Sequence, residues 1–151
     1  MDDGDESGRG AKLLPVVAVA LIDEHGRVLL QQRPPGRALA GLWEFPGGKI
    51  ERDEGPETAL VRELHEELGI VVAAGDLVPL TFASADLGVR HLLLLLYVAS
   101  VWTGEPQALE ASALAWVRPD EMGTLAMPPA DVPLVEALLD LTPIDRDGRG
   151  D

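Results

Sequence analysis

Continuous apolar runs and apolar residues at helical spacing divide this chain into a small number of elements. Pro15 to Ile22 (PVVAVALI) is a β-rich apolar run, Asp23-Glu24-His25-Gly26 carries turn residues, and Arg27 to Gln32 reads as a second strand. Together they predict a hairpin, with His25 as part of its turn. Further on, Leu77 to Ala83 and Val89 to Val101 read as strands separated by residues 84–88. The second is almost wholly apolar, which predicts a central strand covered on both faces. Ala113 to Val117 is a short strand, and Pro119 to Met122 a helical turn.

Two stretches carry helical spacing. Gly55 can act as N-cap, Pro56 as first helical residue and Gly69 as C-terminal stop, bounding a helix of about three and a half turns. On it Leu60, Val61, Leu64 and Leu68 share one face, and Glu63, Glu66 and Glu67 gather on the other. The closing segment PPADVPLVEALLDL reads as a helix N-capped by Asp131 and apolar at Val135, Leu138 and Leu139. Between Arg33 and Trp43 the prolines and glycines of PPGRALAGL predict a loop.

The order strand, strand, helix, three strands, helix predicts an α/β domain with a mixed sheet between helices. Neither a GxGxxG nor a Walker lysine motif is present. At 151 residues one domain suffices. Residues 13–143 form it, and the acidic, glycine-rich stretches 1–12 and 144–151 are expected to be disordered tails.

Composition narrows the function. There is no cysteine, hence no disulfide framework, thiolate zinc site or cysteine nucleophile. The start of the chain lacks the pattern of a signal peptide, and the longest apolar run, Leu92 to Ala99, is too short to span a bilayer. A soluble, cytoplasmic protein without a membrane partner is expected. Net charge is −14, of which only about three units lie in the two tails, so the globular part would repel nucleic-acid backbones. A free nucleotide is also an anion, and cations must intervene if one is to bind.

The chemistry is concentrated between Gly47 and Ile70, GGKIERDEGPETALVRELHEELGI. Glu63, Glu66 and Glu67 stand at i, i+3 and i+4, where like charges repel by a few tenths of a kcal/mol per pair, with Arg62 to offset them. A hard divalent cation removes that cost, and Mg²⁺ or Mn²⁺ favours oxygen ligands shared with substrate phosphates. A solvated acidic helix face is the plain alternative. It does not account for the flanking spacing: Gly48, five residues, Glu54, seven residues, Arg62-Glu63-Leu64, one residue, Glu66-Glu67, one residue, Gly69-Ile70. Chance coincidence of that pattern is below about one in a million. Arg33, at a strand end leading toward the glycine pair, suits phosphate through its guanidinium fork or is a solvated charge.

That spacing is the Nudix box, and the chain resembles Nudix hydrolases, in particular the MutT-type nucleotide pyrophosphohydrolases that clear oxidised nucleotides such as 8-oxo-dGTP. The likeness runs from about Val16 to Leu139 and includes GLWEFPGGKIE, the Gly104-Glu105-Pro106 turn, Trp116-Val117 and PPADVP. It implies an α/β/α sandwich and Mg²⁺-dependent hydrolysis of a nucleoside triphosphate to monophosphate and pyrophosphate, a role in nucleotide-pool sanitisation and DNA repair. By similarity the Gly47 carbonyl, Glu63, Glu66, Glu67 and Glu110 hold metal, with Glu54 and Arg62 completing the catalytic set. Arg33 contacts phosphate, Arg90 lies over the base, Asp131 meets the base edge, and Glu44, Phe45 and Gly48 belong to the substrate site. Glu63 or another box glutamate takes the proton from the attacking water. Which one stays open, because ligand and base are the same residue type within one turn.

Three departures stand out: Asp53 where glycine is frequent, Gly55 in place of a Thr or Ser cap, and Asp131 at what resembles an asparagine position. The last keeps other substrates open, among them cytidine or hydroxycytidine triphosphates, ADP-ribose and dinucleoside polyphosphates. A non-catalytic nucleotide-binding module is the alternative of another class. Such modules commonly lose box glutamates, and this chain retains all of them.

Overall fold

The computed structural model describes residues 12–146. The tails expected at 1–12 and 144–151 lie for the most part outside the described residues. Lys12 opens the first strand and Arg146 closes the last helix.

Among the described residues seven strands and two α-helices follow in chain order, with short 3-10 turns between them. Strand β1 spans Lys12–Leu21, β2 Val28–Gln32, β3 Trp43–Glu44 and β4 Gly47–Lys49. Helix α1 spans Pro56–Leu68; then come β5 (Val78–Asp86), β6 (Arg90–Ala99), β7 (Ala113–Val117) and helix α2 (Val132–Arg146). The strands divide into a four-stranded sheet, ordered β4-β1-β6-β5, and a three-stranded sheet, ordered β3-β2-β7. Strands β1 and β6 run parallel over their full length, from Lys12 opposite Arg90 to Leu21 opposite Ala99, and every other pairing is antiparallel.

The near-continuous apolar character of β1 and β6 has a simple cause: each sends alternate residues into a different core. Val17, Val19, Leu21 and Tyr97 pack with Leu60, Leu64 and Leu68 of α1. Ala18, Ala20, Leu94 and Leu96 pack with Leu134, Val135 and Leu138 of α2. The result is the expected α/β/α sandwich in one domain. Full burial of each α1 leucine is worth about 1.5–3 kcal/mol, which outweighs the tenths of a kcal/mol by which its outer glutamates repel.

The predicted hairpin does not form. Strands β1 and β2 lie in different sheets and, among the described residues, are linked by the isolated bridge Ile22–Val28 rather than by a ladder. Both edges of β1 are already occupied, by β4 and β6, so β2 has no edge to pair with. The Asp23 carboxylate accepts from the amides of His25 (2.9 Å) and Arg27 (2.8 Å), making a compact turn that hands the chain to the second sheet.

Helix α1 has the expected ends. Gly55 is extended at its start, Pro56 follows, and Gly69 stops it in the left-handed region (φ 72°), its N–H donating to the His65 carbonyl at 3.1 Å. Ahead of α2 the structure differs in detail. Residues Pro129–Asp131 form a 3-10 turn, and the Asp131 carboxyl accepts from the Phe45 amide. Among the described residues, no bond from the first turn of α2 reaches that carboxyl, so capping is not what holds it.

Candidate active site

The glycine pair, β1 and the outer face of α1 meet at one place. Gly47 and Gly48 pair with Ala18 and Val17 of β1. A Cβ on Gly47 would collide with the Val17 carbonyl oxygen, and one on Gly48 with the Glu63 carboxylate. The missing side chains therefore let β4 approach β1 and seat Glu63 over Gly48. One turn along, Glu67 Oε1 accepts from the Gly47 amide and from Gln31 Nε2, both at 3.1 Å.

Arg62 organises the other half of the helix face. Its Nε donates to Glu54 Oε2 at 2.7 Å and its Nη2 to Glu54 Oε1 at 2.9 Å; Nη2 also reaches the Lys49 carbonyl at 3.2 Å. Nη1 turns to Glu63 at 3.1 Å and Glu66 at 3.5 Å. Hydrogen bonds from Arg62 and from the Glu51 amide hold the Glu54 carboxyl down at about 2.

Glu63 and Glu67 respond in the opposite sense. Burial pushes Glu67 up to about 8, with the charges of Glu63 and Glu110 adding to it. Burial likewise raises Glu63 despite Arg62, and Glu66 and Glu110 push the same way. Glu110 belongs here because its loop is tied to the end of α1: the amides of Gln107 and Leu109 donate to the carbonyls of Leu68 (3.0 Å) and Glu67 (3.1 Å). These bonds also satisfy carbonyls that the helix end leaves open.

Such a set lacks positive charge. Four carboxylates act on one another across the site with one guanidinium among them, and the buried Gln31 Oε1 has no hydrogen-bond partner among the described residues. The carboxylates are hard oxygen donors, the chemistry that suits a divalent cation of the Mg²⁺ type. Among the described residues no three acidic or histidine side chains are already drawn around a common point.

A second group of residues adjoins the first. Arg33 Nη1 pairs with Glu44 Oε1 at 2.9 Å, and its Nε donates to the Ala38 carbonyl at 2.6 Å. Arg33, Arg37 and Glu44 line the same cleft as Glu67 and Glu110. Asp131 lies beside them, only 6% exposed. Burial, then the charge of Glu44, pushes its carboxyl up to about 7, against the Phe45 amide and Arg33. Burial raises Glu44 as well, more than Arg33 lowers it.

The structure thus brings together Gly47, Gly48, Glu54, Arg62, Glu63, Glu66, Glu67 and Glu110, and beside them Arg33, Glu44, Phe45 and Asp131. Arg90 is separate. It opens β6 opposite Lys12, five positions along β1 from the partner of Gly48, or roughly 17 Å of strand. Among the described residues, no side-chain hydrogen bond joins it to that group.

Residues 12–138 match the NUDIX domain family. The chain belongs to that family. It is 45% identical over 132 residues to the CTP pyrophosphohydrolase of Escherichia coli (strain K12), covering 86% of this chain and 94% of that one. With the 8-oxo-dGTP diphosphatase of Haemophilus influenzae it shares 34% identity over 131 residues, 87% of this chain and 95% of the other. The solution structure of the E. coli ORF135 protein superposes with a TM-score of 0.78 at 37% identity, covering 93% and 96% of the two chains. The chain is a Nudix hydrolase, a family that generally uses divalent metal. No described helix is long and apolar enough to cross a membrane.

Three contacts of this Nudix site were not anticipated. Gln31 holds Glu67, Arg37 lines the cleft, and the Tyr97 hydroxyl donates to Glu57 Oε2 at 2.8 Å, tying the first turn of α1 to β6. Gln31 had a signal: it is a polar residue on the inward side of β2, two positions after buried Leu29. Tyr97 had none, since in an apolar run its ring reads as core.

Proposed function

We propose that this Nudix hydrolase cleaves a nucleoside triphosphate to the monophosphate and pyrophosphate, and that its preferred base presents amino donors, cytosine first. The observation that carries the reading is the adjacency of two unlike groups. The carboxylates of α1 and Glu110 form an anionic, metal-seeking half, the cleft beside it holds Arg33 and the half-buried Glu44, and the buried Asp131 lies close enough to feel both charges.

Glu63, Glu66, Glu67 and Glu110, with the Gly47 carbonyl, would hold Mg²⁺ or Mn²⁺. When bound, the metal offsets phosphate charge and eases deprotonation of water for in-line attack on phosphorus. Arg62 holds Glu63 and Glu66 in place and keeps Glu54 ionised. Arg33 offers a guanidinium edge to phosphate while Glu44 steadies it. Asp131, when ionised, only accepts hydrogen bonds, which suits the N4 amino group of cytosine.

Oxidised guanine is the second reading. Its N1–H and N2 amino donors suit the same acceptor, and the relative at 34% identity carries that name. The test is a Mg²⁺-supported panel of CTP, dCTP, dGTP, 8-oxo-dGTP, ADP-ribose and dinucleoside polyphosphates, with both products identified. Cytosine triphosphates giving the highest kcat/KM and releasing pyrophosphate support the first reading. Preference for 8-oxo-dGTP supports the second, and release of orthophosphate alone overturns both.

A further inference from the structure

We propose that Gln31 is a positioning residue for the metal-binding carboxylate Glu67, fixing one of its oxygens against the glycine pair so that the other stays available. The inference rests on the reading of Glu67 as a metal carboxylate.

Gln31 is an unusual residue for its place. It is 5% exposed, in a strand whose preceding residues Val28, Leu29 and Leu30 are fully buried. An aliphatic side chain would fill the position without bringing polar atoms into the interior. Its own polar atoms are unequally used: Nε2 donates to Glu67 Oε1 at 3.1 Å, whereas Oε1 is buried without a partner among the described residues. The sequence thus carries a desolvated oxygen in order to keep one donor. The amide turns its nitrogen toward Glu67 Oε1, the orientation that an ionised, metal-binding Glu67 requires.

The neighbouring Gln32 shows the contrast. Its Nε2 bonds the Gly41 carbonyl at 3.1 Å, and its own Oε1 accepts from Ser112 at 3.3 Å, so both ends serve loop structure. Among the described residues, the one side-chain hydrogen bond of Gln31 goes to Glu67. Strand β2 supplies rigidity: Gln31 is paired with Glu44 on one side and Leu114 on the other. Together with the Gly47 amide on the same Oε1, the donor fixes the rotation of the carboxylate from two backbone-anchored points. Partners of this kind around a metal carboxylate typically account for about 10–100-fold in affinity.

The experiment titrates Mn²⁺ alone, without substrate, into the full chain and its Gln31→Leu, Gln31→Met and Glu67→Gln variants by calorimetry, with metal-free melting curves alongside. Gln31→Leu and Gln31→Met should melt no lower than wild type, since a buried unsatisfied oxygen is gone, yet bind Mn²⁺ at least about tenfold more weakly. Wild-type affinity in both variants, whatever their melting temperature, overturns the proposal. If neither folds, the side-chain amide resonance of Gln31 in the wild-type chain decides. It must shift on adding Mg²⁺ and stay still in Glu67→Gln; an unmoved resonance in wild type overturns the inference. Should wild type itself take up no Mn²⁺, or Glu67→Gln bind as wild type does, it is the reading of Glu67 that fails.

Discussion

Arg62 grips Glu54 with a two-point fork, Nε to Oε2 at 2.7 Å and Nη2 to Oε1 at 2.9 Å, which fastens the loop before α1 to the middle of that helix. The remaining nitrogen, Nη1, faces Glu63 and Glu66. A lysine ammonium is a point charge and cannot make both contacts at once. Arg62→Lys should therefore lower kcat/KM toward about a hundredfold, as a displacement of roughly 1 Å among reacting groups can do. Steady-state kinetics on CTP checks this, and a near-normal rate would reduce Arg62 to a source of charge.

The same pair predicts an acid limb of stability. The Glu54 carboxyl sits at about 2 in the fold against 4.5 ordinarily. The unfolded chain therefore binds the proton first, and the stabilisation, complete above about 4.5, drains away as pH falls toward 2. Glu54→Gln should melt below wild type at pH 6, with the gap closing at pH 2.5. An equal gap at both values would mean that the fork contributes nothing through charge.

Gly47 and Gly48 separate folding from catalysis. The Cβ of Gly48→Ala meets the far end of a flexible side chain, Glu63, which can swing aside. That variant should fold with nearly unchanged melting temperature and lose activity, because Glu63 no longer sits where Arg62 and its neighbours hold it. In Gly47→Ala the collision is with the backbone of β1, which cannot yield without disturbing the four-stranded sheet. It should be destabilised strongly. Equal melting temperatures and equal activities in the two variants would contradict the placement of both glycines.

Much of this arrangement was legible in the chain. The ends of α1, its two faces and the gathering of three glutamates follow from spacing alone, since a regular helix has one geometry. A mixed sheet between helices was legible in the order of elements and in β6, whose uninterrupted leucines required cover on both sides; the α/β/α sandwich itself came from the family resemblance. The β1–β2 pairing was misread because turn residues between two apolar runs signal a reversal, whereas which edge is vacant depends on β4 and β6, distant in sequence. Glu110 could be matched to a family position, but its nearness to Glu67 depends on backbone bonds from Gln107 and Leu109, which no side-chain pattern encodes. Asp131 suggested a helix cap, and its burial beside Phe45 and Glu44 depended on tertiary packing.

Glu67 connects metal binding with stability. Its carboxyl, pushed up to about 8 by burial and by Glu63, favours the neutral form in the metal-free fold. Between about 4.5 and 8 the folded chain binds more protons than the unfolded one, so metal-free stability falls as pH rises through that window. Glu67→Gln should flatten the fall, matching or exceeding wild type in melting temperature at pH 8, while its kcat drops by at least about a hundredfold, as on losing a strong electrostatic contributor. Retained turnover at saturating Mg²⁺ would sink the assignment of Glu67.

Asp131 tests base recognition with a substitution that barely alters shape. Its carboxyl, pushed up to about 7 by burial and by the charge of Glu44, is costly to ionise, and the cost is present above that pH and absent below about 3.8. Asp131→Asn removes it, so the metal-free variant should melt above wild type at pH 8 and lose that advantage near pH 4. The amide also offers a donor where the ionised acid only accepts. If Asp131 touches the base, the kcat/KM ratio of CTP to 8-oxo-dGTP should change by about tenfold or more, the scale of one well-formed base contact. If the ratio stays put while the pH-dependent gain in stability appears, the burial of Asp131 is real but the base is read elsewhere. Arg90, roughly 17 Å of strand from the level of Gly48, then becomes the residue to replace, since a bound triphosphate must extend away from the glycine pair to present its base.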